Sequence, residues 1–556
     1  MANIADRYQV DQTVAGQSVE EWRSFTNDKN FTYVPDQQNG SYSNQVSFDL
    51  TSVVSSGSWL SLQESYALLP FTTTITCAAA QTNVIDSKMV ALKDSFLNFV
   101  DSIQFFVNGQ QLIDQTTFSN MPLQIIDKLT MSQDDLKMKG SSLSIAPDTT
   151  TSIRQGNVAA SSGDGITNNV FSYGSTQIDP IASNAGLAQR ALNTFLTPGA
   201  SGLPTAFAST SNAAAILAPY FSASSDKLSG TWSYVVYLPL SRLGDLLTKY
   251  PLVKGSQIRL VLNFNAGSSA INISANTPAN YKMTANPTMT AGNTMPVMLT
   301  DSRVGMNNAL GVASNATVTT KIQTTTTALT SSVPASGFSA LPNCRVYCPT
   351  YKINPTFEER ILSNRVQKIR YMDWYQQPII GVTSGASFSQ TLTTALPNVQ
   401  YLLMVPFQNG STAASLFATA TCSQFQSPFD TAPATSLPGG MLAFQNFNVS
   451  VSGQNIYNQN QNYTFDNWVQ EVQRVSLNGG LSKELSSGLV GLTEWNWSPF
   501  VVTDLSRRDE SSDKTYQSVT VSGQNNTGVK VDYYCFIGFQ KQIEIDVLTG
   551  AVKKDF

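Results

Sequence analysis

The stretch Tyr401-Leu402-Leu403-Met404-Val405-Pro406-Phe407 repeats, with small changes, the stretch Tyr66-Ala67-Leu68-Leu69-Pro70-Phe71 in the first half of the chain. Each copy is followed by a hairpin-like sequence, Val107–Ile113 (VNGQQLI) in the first half and Val451–Tyr457 (VSGQNIY) in the second. One such hairpin match could arise by chance, but two motifs in the same order favour an internal repeat. The sequence therefore predicts two copies of one domain.

Length and composition agree with a duplication. A chain of 556 residues exceeds the ~250–300 residues at which single cores stop growing. Charged residues make up 13% of the chain, against about 25% in an ordinary soluble domain. The polar surface must then consist of Ser, Thr, Asn and Gln, which repel one another little when many copies lie side by side. A generic extracellular β protein would have the same composition.

The charge pattern argues against direct binding of nucleic acid. The net charge is −4 and the sequence pI is about 5.1. In the first forty residues the basic residues Arg7, Arg23 and Lys29 are offset by six acidic residues. Because affinity for nucleic acid depends mostly on neutralising phosphates, we expect no direct, sequence-specific binding of this kind.

The cysteines favour reduced, mostly buried thiols over a disulfide framework. They are odd in number and scattered along the chain: Cys77, Cys344, Cys348, Cys422 and Cys535. The pair at positions 344 and 348 has no second pair and the chain contains no histidine, so the sequence predicts no zinc site.

The amino terminus lacks the basic and apolar regions of a signal peptide. No apolar run approaches the ~18 residues that a membrane-spanning helix needs. These observations predict synthesis and folding in a cytosol or nucleus. Sequons such as Asn30-Phe31-Thr32 are then expected to stay unglycosylated.

Alternation of apolar and polar residues predicts a mainly β protein. Ile258–Phe264 alternates, and so does the carboxy-terminal region, where 529–539 and 543–547 are predicted as strands with a short break between them. The dipeptide Asn108-Gly109 predicts a hairpin turn, and Ser452-Gly453 takes its place in the second copy.

Helices are predicted to be short connections at 123–129, 240–247 and 465–475. Two long stretches rich in Ser, Thr, Ala, Asn and Gly, at about 140–229 and 266–341, are interpreted as large surface loops of the first copy. Some local structure is expected around 187–195. The predicted domains are an amino-terminal arm at 1–42, a first domain at 43–341, and a second domain at 342–556 whose first strand begins with Cys344–Cys348.

The sequence offers no active site. The absence of histidine excludes catalytic sites of the Ser-His-Asp and Cys-His types. No phosphate-binding loop or nucleophile-elbow motif occurs in the sequence. Two S-x-x-K matches, Ser224–Lys227 and Ser511–Lys514, lack their partner motifs. Asp134-Asp135 and Glu358-Glu359 could supply a glycosidase pair, but charges in loops or at helix starts are favoured. Arg507–Glu510 is interpreted as a charged turn. We therefore predict no catalytic, cofactor-binding or metal-binding residues and no enzyme.

Two passages carry a resemblance to a known family. Tyr234–Leu243, continuing through Tyr250-Pro251-Leu252 to Ile258–Leu260, resembles the strand, Leu-Pro-Leu, helix and strand passage of double jelly-roll major capsid proteins, and Cys535–Phe539 with Ile543–Gly550 resembles their closing strands. This is the lineage of adenoviruses and tailless phages, and the chain is most similar to Polinton-like virus, virophage and adintovirus members. The resemblance implies an all-β fold of two tandem eight-stranded antiparallel jelly-roll β-sandwiches with short connecting helices and long tower-like insertions.

The same resemblance implies a major capsid protein that forms pseudo-hexagonal homotrimers in the icosahedral shell of a DNA virus. Its implied partners are neighbouring capsomers, penton and minor or cement proteins, and an inner membrane in some arrangements; no cofactor is implied. The expected location is the virion after synthesis in the host cytoplasm. One alternative is a secreted or virion-surface β-sandwich adhesin or carbohydrate-binding protein. A spike or depolymerase enzyme and a single-jelly-roll shell protein are further alternatives.

Overall fold

The structure is a computed structural model of the 556-residue chain. It describes residues 26–54, 57–77, 88–92, 95–114, 116–143, 145, 172–173, 177–178, 221–223, 229–273, 283–285, 297–301, 314–324, 342–408, 444–477, 489–492, 495, 499–506, 515–527 and 530–555. The local structure expected around residues 187–195 lies outside these ranges.

Eight strands of the first half form two facing antiparallel sheets. One sheet has the order β1-β8-β3-β6 and the other has the order β2-β7-β4-β5. The strands are β1 (Thr26–Pro35), β2 (Gln45–Asp49), β3 (Tyr66–Cys77), β4 (Val100–Val107), β5 (Gln110–Ile113), β6 (Ser229–Pro239), β7 (Ile258–Phe264) and β8 (Arg345–Ile353).

Eight strands of the second half repeat this arrangement. Their sheets have the orders β9-β16-β11-β14 and β10-β15-β12-β13. The strands are β9 (Val366–Val382), β10 (Ser387–Leu396), β11 (Val399–Gln408), β12 (Phe444–Val451), β13 (Gln454–Asn455), β14 (Val501–Asp504), β15 (Gln517–Asn525) and β16 (Val531–Asp546). Both halves thus follow one strand order, and two tandem eight-stranded jelly rolls are confirmed.

The duplicated hairpins have the same turn geometry. Asn108 and Gly109 have φ values of 48° and 78°, and Ser452 and Gly453 have φ values of 51° and 81°. Positive φ at both central residues defines the type I′ turn, whose twist matches that of paired strands. The repeated V-x-G-Q phrase therefore joins β4 to β5 and β12 to β13 in the same way.

Each jelly roll encloses its own apolar core. In β7 the side chains of Ile258, Leu260 and Leu262 are buried in the first core, as their alternation predicts. Phe71 of β3 stacks on Phe99 in this core, with ring centroids 3.9 Å apart. In the second core Phe444, Phe447 and Tyr533 form a comparable aromatic cluster.

The described parts of the long insertions contain additional strands. Gly267–Ile273, Met283–Ala285 and Ser314–Ile322 extend the first sheet, and Phe221–Ala223 pairs with β6. Val297–Asp301 pairs with Lys88–Leu92, and Ser172–Tyr173 pairs with Gln177–Ile178. The insertions are therefore partly strand and not only loop. Outside them, Trp59–Leu60 pairs with β8, and Val552–Asp555 pairs with β16.

Three sequence expectations differ from the observed pairing. β8 pairs with β1 and β3 of the first sheet, whereas its first residues were expected to open the second domain. β1 lies within the expected amino-terminal arm, yet it is an ordered part of the same sheet. The carboxy-terminal alternation forms one continuous strand, β16, without the expected break. Sheet partners distant in sequence, which local patterns do not encode, explain the first two differences. We propose that the domain boundary falls between β8 and β9.

The described helices connect strands, as predicted. Within the described ranges they are α1 (Asn120–Thr130), α2 (Gln133–Leu143), α3 (Pro355–Ser363) and α4 (Phe465–Leu477), with short helices at Thr51–Val54 and Asp245–Lys249 and 3-10 turns at Phe96–Phe99 and Leu240–Arg242. The Asn354 side chain accepts a hydrogen bond from the Thr356 amide at the start of α3, and Pro355 occupies the first turn. None of the described helices is long and apolar enough to cross a membrane.

Candidate functional site

The junction between the two jelly rolls is the most elaborate contact region among the described residues. The beginning of β9 and the end of β16 reach past their own sandwich into the first core. Their buried side chains there are Ile369, Tyr371, Ile543, Ile545 and Val547. The Tyr371 hydroxyl donates a hydrogen bond to the Leu112 carbonyl at 2.6 Å, and burial raises the pKa of Tyr371. The second jelly roll thus completes the core of the first.

A second contact runs in the opposite direction. α1 follows β5 of the first jelly roll, and its side chains Met121, Ile125 and Leu129 are buried in the core cluster of the second. They recur every four residues, so they share one face of the helix. The residues just before α1 also contact the second jelly roll. Thr116 Oγ1 donates a hydrogen bond to the Trp374 carbonyl at 2.8 Å, and the Phe118 ring meets the Tyr534 ring edge-on at 5.1 Å. Val472 and Val475 of α4 lie beside Ile125 over Tyr401, so residues 116–130 and α4 together cover the outer face of the second jelly roll's β9-β16-β11-β14 sheet.

Buried charges lie at the same junction. Lys541 Nζ is 2.5 Å from Asp373 Oδ2 and 2.7 Å from Asp114 Oδ2, so one ammonium bridges both jelly rolls. Burial raises the pKa of Asp373, although the Lys541 ammonium opposes this shift. Burial disfavours the charge on Lys541 as well, but the two carboxylates outweigh it and raise the pKa of Lys541. Removing Lys541 would leave the Asp373 carboxylate buried without compensation.

Further polar contacts hold the junction. Arg242 forms a largely buried ion pair with Asp127 of α1. The Asn108 side chain of the first hairpin donates to the Thr549 carbonyl at 2.9 Å. Gly550 has a φ of +66°, and a Cβ placed on it would lie 2.1 Å from the Cβ of Ser256. The chain can approach this closely only because residue 550 is glycine.

The cavity described at the junction is too small for a substrate. A cavity of about 20 Å³ lies between the jelly rolls, and among the residues that line it are Asp114, Asp245 and Asp373. This volume suits a single water molecule, whereas small-molecule sites measure ~300–1,000 Å³. The junction is therefore suited to locking two domains together.

The outer faces of the two large sheets differ in exposure. In the first jelly roll the outer face of sheet β1-β8-β3-β6 carries one tyrosine from each strand, and we call this set the tyrosine row: Tyr33, Tyr347, Tyr66 and Tyr237. Adjacent ring centroids are 5.9, 5.0 and 6.1 Å apart. Tyr33 is 53% exposed and Tyr237 is 41% exposed. The tyrosine row is thus open to solvent at both ends.

The matching face of the second jelly roll is closed. Tyr401 begins the repeated motif as Tyr66 does in the first copy, yet it is only 1% exposed. Its ring meets Trp374 edge-on at 5.4 Å above Gly538, and its hydroxyl has no hydrogen-bond partner among the described residues. Burial raises the pKa of Tyr401 well above 10.

The carboxylate pairs considered from sequence lie near the starts of two separate helices. Asp134 and Asp135 begin α2, where they pair with Lys137 at 3.4 Å and Lys139 at 3.0 Å, respectively. Lys139 and Ser132 lower the pKa of Asp135 to about 2.

Glu358 lies in the first turn of α3. Its Oε1 is 2.8 Å from Lys254 Nζ and accepts a hydrogen bond from Trp59 Nε1 at 3.2 Å. Lys254 lowers the pKa of this carboxyl. Both pairs therefore occupy the helix-start positions that the sequence favoured for them.

The remaining sequence candidates are thiols and short motifs. Cys344, Cys348 and Cys535 are buried free thiols, and burial raises the pKa of Cys344 and of Cys348 to about 12. Within the described ranges no group of three or more potential metal ligands occurs. Both S-x-x-K matches and the Arg507–Glu510 run lie outside those ranges, as does Cys422.

Sequence reasoning missed the junction and the tyrosine row. Asp373 and Lys541 are far apart in the chain, and nothing local marks them as partners. The tyrosine row had a usable signal, because each tyrosine alternates with residues buried in the core, such as Val34, Val346 and Leu238. The alternation places the tyrosines on the outer face, but it does not show that the strands align them.

Comparison with known proteins supports the fold. No family model and no curated protein matches the chain. The chain is similar to the cryo-EM structure of the Sputnik virophage, with 11% identity, a TM-score of 0.51, and coverage of 96% of this chain and 89% of the other. The mavirus major capsid protein (9% identity, TM-score 0.45, coverage 95% and 90%) and the Faustovirus major capsid protein (8%, 0.43, 93% and 90%) also align. Together with the strand order, the Sputnik match identifies this chain as a protein with the double jelly-roll fold.

Proposed function

We propose that the chain is a major capsid protein whose homotrimers form the pseudo-hexagonal building blocks of an icosahedral DNA-virus shell. The observation that carries this proposal is the pair of equivalent jelly rolls locked together by residues 116–130, β9 and β16. Three copies of such a subunit would place six similar sandwiches in a ring, which suits a lattice position with six neighbours. The fold similarity to the Sputnik virophage structure supports a role in a virion.

The proposed partners follow from this role. They are neighbouring capsomers, penton and minor or cement proteins, and an inner membrane in some arrangements, after synthesis in the host cytoplasm. The net charge of −4 supports genome contact through other components and not through this chain. The chain acts structurally in this proposal and performs no catalysis.

The test is the solution mass of the purified chain by light scattering, combined with negative-stain images. We expect a particle of three times the chain mass of 60.2 kDa with a hexagonal outline. A monomer at all concentrations and salt conditions would contradict the capsomer. Glycan-array binding by that monomer would then favour the adhesin alternative.

A further inference from the structure

Asparagine followed by glycine occurs in two turns of the described structure. Asn39-Gly40 lies in the turn between β1 and β2, and Asn108-Gly109 lies in the hairpin between β4 and β5. The φ values are 51° and 83° in the first pair and 48° and 78° in the second, and a hydrogen bond of 3.2 Å closes the first turn. Both pairs therefore occupy the central positions of type I′ turns. The other Asn-Gly pairs of the chain, at 409–410 and 478–479, lie outside the described ranges.

The two asparagine side chains differ in how they are held. Asn108 is fixed at both of its polar atoms, because its Oδ1 accepts a hydrogen bond from the Gln257 amide at 2.8 Å and its Nδ2 donates one to the Thr549 carbonyl at 2.9 Å. The Asn39 side chain is exposed and has no hydrogen-bond partner among the described residues. Asn39 can therefore change its rotamer without losing a hydrogen bond, whereas Asn108 must break two.

The backbone nitrogen that follows Asn39 is also weakly held. The Gly40 amide donates one long hydrogen bond, of 3.3 Å, to Asp36 Oδ2. Glycine has no Cβ, so its nitrogen is not shielded by a side chain and its backbone can rotate widely. The side-chain carbonyl carbon of Asn39 and the Gly40 nitrogen are thus neighbours in the chain, and few contacts keep them apart.

We propose that Asn39-Gly40 is a site of spontaneous deamidation and that Asn108-Gly109 is protected from the same reaction. The Gly40 nitrogen attacks Cγ of Asn39 and loses its proton to solvent as the new C–N bond forms. The bond between Cγ and Nδ2 breaks, and Nδ2 takes up a proton from water and leaves as ammonia, so that a cyclic succinimide remains. Water then opens the ring at either carbonyl and gives aspartate or isoaspartate. The net reaction consumes one water and releases one ammonia, without an oxidant or a reductant.

The product places a new negative charge in a turn that already holds a buried carboxylate. Asp36 is 3% exposed and accepts a hydrogen bond from the Tyr42 hydroxyl at 3.0 Å, and this hydroxyl accepts one from the Cys344 amide at 2.8 Å. The turn is thereby connected to the residue that precedes β8. Isoaspartate also lengthens the main chain by one carbon at this point. The reaction requires only the folded chain, so the inference goes beyond the proposed capsid role and does not depend on it.

The test is to incubate the folded full chain in mildly alkaline buffer made with heavy-oxygen water, and then to digest it and weigh the peptides by mass spectrometry. Because water opens the succinimide, each residue that reacts during the incubation takes up one heavy oxygen atom. We expect the Asn39 peptide to be labelled at least about tenfold faster than the Asn108 peptide, since two hydrogen bonds hold Asn108 in place. Equal labelling rates, or no labelling at Asn39, would overturn the inference.

The same chain unfolded in concentrated urea is the matched control. Neither asparagine is anchored there and both are followed by glycine, so we expect the two labelling rates to become similar. A difference that persists in urea would overturn the inference, because the neighbouring sequence and not the folded structure would then cause it.

Asn39→Gln tests the chemical route. A glutamine side chain is one methylene longer and would have to close a larger, less favourable ring. We expect this variant to lose the labelling at position 39 and to keep the unmodified rate at position 108. Labelling of the variant at position 39 at the original rate would contradict the succinimide route and overturn the inference.

Discussion

Tyr66 and Tyr401 occupy the same place in two copies of one motif, but their surroundings are opposite. Tyr401 is buried beneath α1, while Tyr66 belongs to a row that is open at both ends. The two repeats thus share one fold, but their outer sheet faces differ in exposure. The helix after the first hairpin packs on the second jelly roll, whereas Tyr33 and Tyr237 on the matching face of the first jelly roll stay exposed. Equivalent sequence therefore does not imply an equivalent environment.

The largest difference in stability is expected between the alanine variants of Tyr401 and Tyr66. We expect Tyr401→Ala to lower the free energy of unfolding by about 3–5 kcal/mol, as for a buried aromatic side chain. Tyr66→Ala in the monomer should lower it by about 0.5–1.5 kcal/mol, because mainly ring stacking is lost. Urea unfolding monitored by fluorescence measures both. Equal effects would show that the two faces do not differ as described.

The junction ion pair provides the next test. Lys541→Met should leave the Asp373 carboxylate buried and unpaired, and we expect a loss at the lower end of about 3–5 kcal/mol because Lys541 is partly exposed. Lys368→Met is the matched control, since Lys368 pairs with Glu544 on the surface and should change stability by about 0–1 kcal/mol. Adding Asp373→Leu to Lys541→Met should restore much of the loss. Chemical unfolding that gives the same value for Lys541→Met and Lys368→Met would contradict a buried pair.

Gly538 tests how closely the covered face is packed. A Cβ at this position would lie 3.1 Å from the Tyr401 ring and 3.3 Å from the Trp374 ring. We expect Gly538→Ala to destabilise the chain by about 1–3 kcal/mol through overpacking. Gly267→Ala, where a Cβ would meet nothing within 4 Å, should change stability by less than about 0.5 kcal/mol. Thermal unfolding of the two variants gives the comparison, and equal midpoints would argue against close packing above residue 538.

The smallest effect concerns the two hydroxyl groups. Tyr401→Phe removes a buried hydroxyl that has no hydrogen-bond partner in the described part of the chain, so we expect stability to stay equal or rise by up to about 1 kcal/mol. Tyr66→Phe should leave the monomer unchanged. A clear loss of stability in Tyr401→Phe would indicate that the hydroxyl is hydrogen-bonded.

Tyr401→Phe should also change how the stability of the fold depends on pH. Burial raises the pKa of Tyr401 above 10 in the folded state, so the folded protein holds this proton more tightly than the unfolded chain does. The resulting stability is complete below pH 10 and is lost as the pH rises through the folded pKa. Tyr401→Phe should therefore lose less stability between pH 9 and 11 than the unmodified chain, as measured by urea unfolding at each pH. Parallel curves would contradict the shift.

Local patterns predicted much of the fold. The V-x-G-Q phrases marked both type I′ hairpins, and the predicted helices at 123–129 and 465–475 fall within α1 and α4. The local sequence of β8 does not indicate its pairing with β1 and β3, because these strands are distant from it in the chain. The break expected in β16 is absent because this strand pairs with β9 along most of its length.

The candidate site was largely beyond sequence reasoning. The sequence favoured helix-start positions for the carboxylate pairs, and the structure places them there. This could be predicted because the residues of each pair are adjacent in the chain. The junction could not be predicted in the same way, since Asp114, Asp373 and Lys541 come from three separate segments. Even the tyrosine row could be found only as four outward-facing positions, with no indication that their rings lie next to one another.

The sequence by itself determined the duplication, the alternation that forms the strands, and the turns that pair them, because these depend on residues close together in the chain. Only the tertiary structure decided which repeat is covered and which is open. That decision depends on where α1, β9 and β16 reach after folding, and so on contacts between residues far apart in sequence. Burial is a property of neighbours in space, and two nearly identical motifs therefore became a sealed face in one jelly roll and an exposed tyrosine row in the other.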